Sequence, residues 1–468
     1  MRASVYTKPA PGQAETPNWR LLTPLLLGSA LNPINSSVIA TTLVAVGRAF
    51  GVGTAATASL VAALYLASAV GQPAMGKLAE VFGPRRVFLG GLVIVGLGGL
   101  LGTVAANLPM LIAARVLLGI GTSAGYPTAM VIIRSWSEGR PTARTGGALG
   151  ALAVAGQVTA AVGLPLGGLL IALGGWRVTY AMNMPLAVIG LILTLLWVPR
   201  DQRTCRTGWS STIRDLDPGG LILFAGSIAS LLYVLSDLEH PNWPVVGVCI
   251  LLLICFLIWE LRIGKPFIDI RLIARNRALS RTYLRVVMTF LLSYTILFGL
   301  TQWLVESRGL SAGQTGLVML PMSVIAIVIS LPFARRNMIR SALVLTAVAG
   351  IVGAASLMAF TTETPLWVLV AVAALFGIMS GLGMIGNQAA LYRQAPAENV
   401  GVAAGLMRTF MYLGAILSSG LISVSFGENA TDEGLHAIAV VMIVLAAVLL
   451  VLTVTGLLRQ RRRSRKAS

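Results

Sequence analysis

Residues 111–127 read LIAARVLLGIGTSAGYP, an apolar run with one arginine, Arg115, set inside it. A guanidinium stays charged at any accessible pH and is costly to hold in hydrocarbon. Similar runs of roughly 20 apolar residues, each enough to cross about 30 Å of hydrocarbon, recur from end to end. The chain has 468 residues, of which 56% are hydrophobic and only 11% charged, and its mean hydropathy is +0.85. Soluble domains carry about a quarter of charged residues. The expected fold class is therefore all-α, a polytopic membrane protein, and the bilayer is its first partner. The 51 glycines agree, because small residues let membrane helices approach closely.

Outward from Arg115, spans are expected near 21–46, 55–76, 87–106, 108–133, 146–173 and 177–198, then 218–236 and 243–261. Six more follow near 282–305, 312–333, 341–360, 365–391, 400–426 and 435–458. That makes about fourteen transmembrane helices. The net charge of +19 gathers in the short segments between apolar runs, which fits the positive-inside rule and not a nucleic-acid surface. The segments on the side of the N-terminus hold Lys77, Arg85 and Arg86; Arg134, Arg140 and Arg144; and Arg200, Arg203, Arg206 and Arg214. The cluster from Arg262 to Arg281, then Arg335, Arg336, Arg340, Arg393 and the RQRRRSRK tail, share that side. The opposite side has Arg48, Arg177 and Arg308 among a majority of acids. Both termini are expected in the cytoplasm, with the chain multi-pass in the plasma (inner) membrane. Residues 1–20 read as a polar cytoplasmic tail.

Internal echoes suggest duplication. LLGIGTSAGY (117–126) is matched by LFGIMSGLGM (375–384), aligning Gly119 with Gly377 and Gly125 with Gly383. GGALGALAVAGQV (146–158) is matched more weakly by VGVAAGLMRTFMYLG (400–414). The expected organisation is a six-helix bundle over 21–198, linkers with two inserted helices over 199–281, a second bundle over 282–458 and a basic tail over 459–468. Duplicated halves around a midplane site are the architecture of secondary transporters.

Motifs point the same way. GKLAEVFGPRRVFLGG, from Gly76, resembles the signature loop G-x-L-A-D-x-x-G-R-R/K of the major facilitator superfamily, with Glu80 at the aspartate position and Pro84 replacing an arginine. Gly76, Glu80, Gly83, Arg85 and Arg86 then form a conformational latch, or else a charge cluster that merely sets topology. Arg115-Val-Leu-Leu-Gly-Ile-Gly resembles the fourth-span motif R-x-x-Q-G-x-G with Leu118 in place of the glutamine, and GLPLGG resembles the antiporter motif G-P-x-x-G-G through Gly163, Pro165, Gly167 and Gly168, with the proline displaced by one position. GGWRVTYAMNMP matches a following stretch through Trp176, Arg177, Asn183 and Pro185. The chain resembles the fourteen-span drug:proton antiporter branch over nearly its whole length. The resemblance implies an exporter of amphipathic small molecules with protons as coupling ion. The alternative is a specific carrier or facilitator of one anionic or zwitterionic metabolite.

The chain departs from that branch in its first span, where INSSVIATTLV puts Asn35 at the usual aspartate position. None of the sixteen acids falls near the centre of an expected span. A coupled proton would then be carried by the substrate, by water beside Arg115, or by an acid at a span end such as Glu306 or Asp237. At a rise of about 1.5 Å per residue, Asn35 and Arg115 both lie roughly 10 Å from the outer surface of the core. Asn32, Asn35 and Arg115 then form one polar cavity wall, with Arg115 bonded to the Asn35 amide. Otherwise Arg115 snorkels, or bonds carbonyls freed beside Gly119 and Gly121. Gln157, Arg408 and Tyr412 complete the expected cavity, which two unpaired arginines would make electropositive. Tyr294, Phe298, Met319 and Met322 add an apolar wall, or plain packing. No Ser/His, paired-acid or metal constellation supports catalysis. Neither a cofactor nor a metal is expected, and the protein is expected to be a monomer.

Overall fold

The computed structural model describes residues 17–137, 146–201, 217–236, 242–264, 266, 268, 270–336, 338–395 and 400–467, and every regular element among them is helical. Asp237 lies outside these residues, and the side chains of Glu80 and Gln157 outside what is described.

The first stretch contains α1 (Trp19–Phe50), α2 (Thr54–Phe82), α3 (Pro84–Thr103), α4 (Leu108–Ser123) and α5 (Gly125–Ser137). It continues with α6 (Gly146–Gly174), α7 (Trp176–Ala181) and α8 (Asn183–Trp197). After α9 (Pro218–Ser236), α10 (Trp243–Arg262) and α11 (Ile270–Arg275) come α12 (Arg277–Thr295), a π-helical turn (Ile296–Leu300) and α13 (Thr301–Glu306). The last elements are α14 (Ala312–Arg335), α15 (Ile339–Leu357), α16 (Leu366–Gln394), α17 (Val400–Phe426) and α18 (Asp432–Ala467).

Side-chain caps begin several of these helices. Asn18 Oδ1 accepts from Leu21 N at 3.0 Å, Asn107 Oδ1 from Met110 N at 2.9 Å and Asn276 Oδ1 from Leu279 N at 3.1 Å. Each satisfies a backbone donor that the first turn leaves without an intrahelical partner.

Among the described residues, twelve helical stretches are long and apolar enough to cross a membrane. Two shorter apolar stretches, Val162–Gly174 in α6 and Pro218–Leu231 in α9, stand beside them. The outer faces suit lipid: Leu196 is 70% and Ile222 71% exposed. Three expected spans are interrupted. The fourth breaks at Ala124 between α4 and α5, the sixth at Met182 between α7 and α8, and the ninth passes through the π turn.

The glycine echoes acquire a packing reason. A Cβ on Gly119 would overlap the α2 backbone at Leu64, and one on Gly377 the α14 backbone at Met322. A Cβ on Gly125 would strike the α1 backbone at Gly28, and one on Gly383 would strike Thr289 of α12. Corresponding glycines thus admit corresponding neighbours.

Helices α1–α8 meet helices α12–α18 along two main seams, α2 on α17 and α6 on α14. The intervening helix α9 packs on both α2 and α17, at the first seam. Its neighbour α10 is peripheral: only 17% of its apolar window is buried, against 72% for α1. Asp217 Oδ1 accepts from Trp259 Nε1 at 2.7 Å, joining α9 to α10.

One end of the bundle is clasped. Thr54 N and Ala55 N donate to the carbonyls of Glu428 and Gly427 at 2.9 and 2.8 Å. Glu306 Oε2 accepts from Thr54 Oγ1 at 3.0 Å and from Ala430 N at 2.6 Å, while Trp303 Nε1 donates to Asp432 Oδ1 at 2.7 Å. The clasp holds the end of α1 beside the start of α18. Trp19 and the last turns of α18 therefore lie at the opposite, basic end.

Candidate functional site

A chain of polar groups crosses the α2–α17 seam. Asn32 of α1 donates through Nδ2 to Ser68 Oγ and Thr122 Oγ1, each at 3.0 Å, and its Oδ1 accepts from Tyr412 Oη at 3.5 Å. Tyr412 in turn accepts from Gln72 Nε2, and Gln72 Oε1 accepts from Arg408 Nη1 at 3.5 Å. The Arg408 guanidinium lies over the Tyr126 ring, 3.6 Å from its centroid. A cation on an aromatic face is stabilised by the ring quadrupole, so Arg408 is accommodated without a carboxylate.

Three of the expected cavity residues, Asn32, Arg408 and Tyr412, thus come together. The sequence reading missed their linker, Gln72. A lone amide in an apolar span needs a partner, and that was the available signal. Tyr126 was missed because an aromatic residue in a membrane helix is usually packing.

Asn35 and Arg115 form a second cluster. Arg115 is 2% exposed. Its Nε donates to Leu60 O at 3.3 Å and its Nη2 to Asn35 O at 3.5 Å. The two residues meet at the expected level, but through the Asn35 backbone carbonyl and not its amide. The amide Nδ2 instead donates to Asn183 Oδ1 at 2.7 Å and to Leu31 O at 2.9 Å. Asn183 Nδ2 continues to Tyr180 O at 3.1 Å. The acceptors of Arg115 belong to α1 and α2 and not to the glycine turn of its own helix. Neither Arg115 nor Arg408 has a carboxylate partner among the described residues.

A cavity of about 130 Å³ opens between α1, α12, α14 and α16, lined by Ser37, Tyr294, Met322, Ser323, Ser380 and Met384 among others. Among the described residues its lining carries no charged one, which departs from the electropositive cavity expected from two embedded arginines. Tyr294 and Met322 line it, whereas Phe298 and Met319 are fully buried packing residues. Tyr294 lies 4.9 Å, centroid to centroid, from Tyr65, which lies 5.7 Å from Tyr412. This aromatic bridge joins the cavity to the polar chain.

The antiporter-type motif shapes the walls. Cβ atoms on Gly163 and Gly167 would overlap Ser37 and Thr41 of α1, and one on Gly168 would come within 2.7 Å of Gly313 Cα in α14. These glycines press α6 onto α1 on one face and α14 on the other. Pro165 lies inside α6.

At the basic end, Gly83 has φ +94°. The carboxylate of Asp201 occupies the space a Cβ there would need. Asp201 Oδ1 and Oδ2 accept from the backbone N–H groups of Arg85 and Arg86, each at 3.0 Å, and Arg85 Nη2 donates to Leu195 O at 2.9 Å. A carboxylate at a helix N-terminus satisfies free donors and complements the helix dipole. Asp201 thus ties down the start of α3, and it went unnoticed because it lies 116 residues away from Arg85 in sequence. Gly76 packs toward Pro127 of α5.

Comparison with known proteins accords with this geometry. The family model of the Major Facilitator Superfamily matches residues 25–419 and 333–468. The chain is similar to the uncharacterised transporter YwoD of Bacillus subtilis, 34% identical over 92% of this chain and 96% of the relative. It is 28% identical to the multidrug resistance protein Stp of Mycobacterium tuberculosis over 86% of this chain and 76% of Stp. A solved structure bearing on substrate recognition in proton-dependent oligopeptide transporters superposes with TM-score 0.65 at 16% identity, covering 95% of this chain and all of the other. Helical spans, paired seams and family motifs converge: the chain belongs to the Major Facilitator Superfamily, whose members are membrane transporters and not enzymes.

Proposed function

We propose that this protein exports amphipathic, drug-like small molecules by alternating access, rocking α1–α8 against α12–α18. The observation that carries the reading is the uncharged cavity between α1, α12, α14 and α16, in which hydroxyls stand among methionine and aromatic surfaces. Such a lining binds by apolar area with a few orienting hydrogen bonds. It favours neutral amphipaths over the anionic metabolite of the alternative reading. Similarity to a multidrug resistance protein supports the same class.

In this account the chain has fourteen spans. Two six-helix bundles, 21–198 and 282–458, flank an inserted pair within 199–281. The protein works as a monomer in the plasma membrane with its basic end and both termini in the cytoplasm. The clasp then closes the outer end. Asn32, Gln72, Arg408 and Tyr412 hold the halves together beside the cavity. Gly83, Arg85 and Asp201 set the relative stability of the two conformations.

Protons are the proposed counter-ion. We assign that coupling to Glu306, whose carboxylate holds Thr54 and Ala430 across the clasp. The test is dye export by purified protein in proteoliposomes with imposed pH and sodium gradients. Matched neutral, cationic and anionic dyes are compared. Flux of the neutral dye driven by the pH gradient supports the proposal. Flux confined to one anion and indifferent to both gradients would replace it with the facilitator.

A further inference from the structure

A second cavity of about 130 Å³ lies at the basic end, away from the proposed transport path. It is enclosed by α12, α15, α16 and α18 and lined by four arginines, Arg281, Arg285, Arg340 and Arg393, together with Gln394 and Leu343. Among the described residues no carboxylate lines it. On a measure by which one water needs about 10–15 Å³, it has room for a many-atomed ligand.

The arginines are not explained by internal pairing. Arg285 is only 6% exposed. It is anchored through Nε to Asn387 Oδ1 at 3.2 Å and through Nη2 to Thr282 Oγ1 at 2.7 Å. Thr282 in turn donates to Gln394 Oε1 at 2.6 Å. These neutral acceptors orient the guanidinium and leave its charge intact. One turn earlier, Arg281 donates through Nε to Arg277 O at 3.1 Å, while its Nη1 is buried without a hydrogen-bond partner. Like charges one helical turn apart repel, and an unsatisfied buried donor costs free energy. A multivalent oxyanion relieves both at once, because guanidinium forks match phosphate oxygens.

The surroundings indicate where such an anion comes from. Gly456 of α18 closes one wall, and a Cβ there would lie 3.4 Å from Arg281 Nη1. The outer surfaces of the two peripheral helices expose Leu345 of α15 and Val451 and Val454 of α18. An apolar face leading to a cationic pocket at the helix ends is the arrangement that receives a lipid by chain and headgroup together. We infer that this pocket binds the phosphate group of an anionic glycerophospholipid, clamping α12, α15, α16 and α18 at the basic end.

The experiment measures lipid retention by the full-length protein in neutral detergent, using native mass spectrometry and thermal shift. Phosphatidylglycerol, phosphatidylcholine with the same chains, and inorganic phosphate are the probes. Wild type is expected to hold phosphatidylglycerol at least ~10-fold more tightly than phosphatidylcholine. The combined variant Arg281→Gln, Arg340→Gln and Arg393→Gln should lose that preference. Gly456→Leu fills the cavity with every charge in place, the basic tail included, and should lose it too. Competition by millimolar phosphate would identify a soluble phosphate as an occupant of the same site; no competition would assign it to the lipid. Equal retention of the two lipids by wild type, with no phosphate binding, would overturn the inference. So would an undiminished preference in both variants.

Discussion

Replacing Glu306 with glutamine tests the clasp at its charged centre. In the structure one carboxylate oxygen, Oε2, serves two donors on different segments, Thr54 Oγ1 at 3.0 Å and Ala430 N at 2.6 Å. Hydrogen bonds to a charged acceptor contribute about 1.5–3 kcal/mol each. The amide keeps one acceptor oxygen and presents N–H donors on its other arm. That oxygen can still accept from both donors, but as a neutral acceptor, so the two bonds together lose about 1.5–3 kcal/mol. At about 1.4 kcal/mol per tenfold, the balance between closed and open clasp shifts roughly 10- to 140-fold toward open. The backbone bonds from Thr54 and Ala55 remain in both proteins, so folding is retained. Spin labels at Arg48→Cys and Asn429→Cys, in a background lacking Cys205, Cys249 and Cys255, report the separation across the clasp. Glu306→Gln should add a long-distance population that wild type lacks. An unchanged distance distribution would refute the reasoning.

Three further substitutions probe the remaining elements. Gly83→Val puts a β-branched side chain at φ +94° and into the Asp201 carboxylate; turnover should fall ~10-fold or more while equilibrium dye affinity stays within a fewfold. Lost affinity with normal turnover would move the latch into the binding site. Arg115→Lys replaces a fork that reaches both Leu60 O and Asn35 O with a point charge, so export should drop ~10-fold; Arg115→Ala should abolish it. Gln72→Leu removes the link between Arg408 and Tyr412 and should slow export about 10-fold in a normally folded protein. Wild-type rates would show that the polar chain is incidental to rocking.

The helices were legible because hydrocarbon imposes length and composition on each span. The glycine echoes were legible for a related reason: Gly119 and Gly377 each face a neighbouring backbone too closely for any side chain. Interruptions were not, since the break at Ala124 and the π turn at Ile296–Leu300 answer to tertiary packing and leave the apolar pattern continuous. In the site, depth reckoning put Arg115 beside Asn35 correctly. It could not distinguish the amide from the carbonyl, because helix rotation and rotamer decide which group a guanidinium meets. Partners distant in sequence, such as Asp201 for Arg85 or Tyr126 for Arg408, carry no local periodic signal. The uncharged cavity was illegible for the same reason: the arginines are buried against carbonyls and an aromatic ring, and only the packed helices reveal that they turn from the open space.

The central claim is that the clasped end must open for cargo to cross. Ala55→Cys and Glu428→Cys, in a cysteine-free background, place thiols on adjoining segments of the clasp, where Thr54 N and Ala55 N bond the carbonyls of Glu428 and Gly427. The measurement is dye transport in proteoliposomes before and after joining them with a short cleavable bismaleimide. The account predicts that cross-linking stops transport, that cleavage restores it, and that dye binding persists throughout. Transport at an undiminished rate by fully cross-linked protein would contradict it.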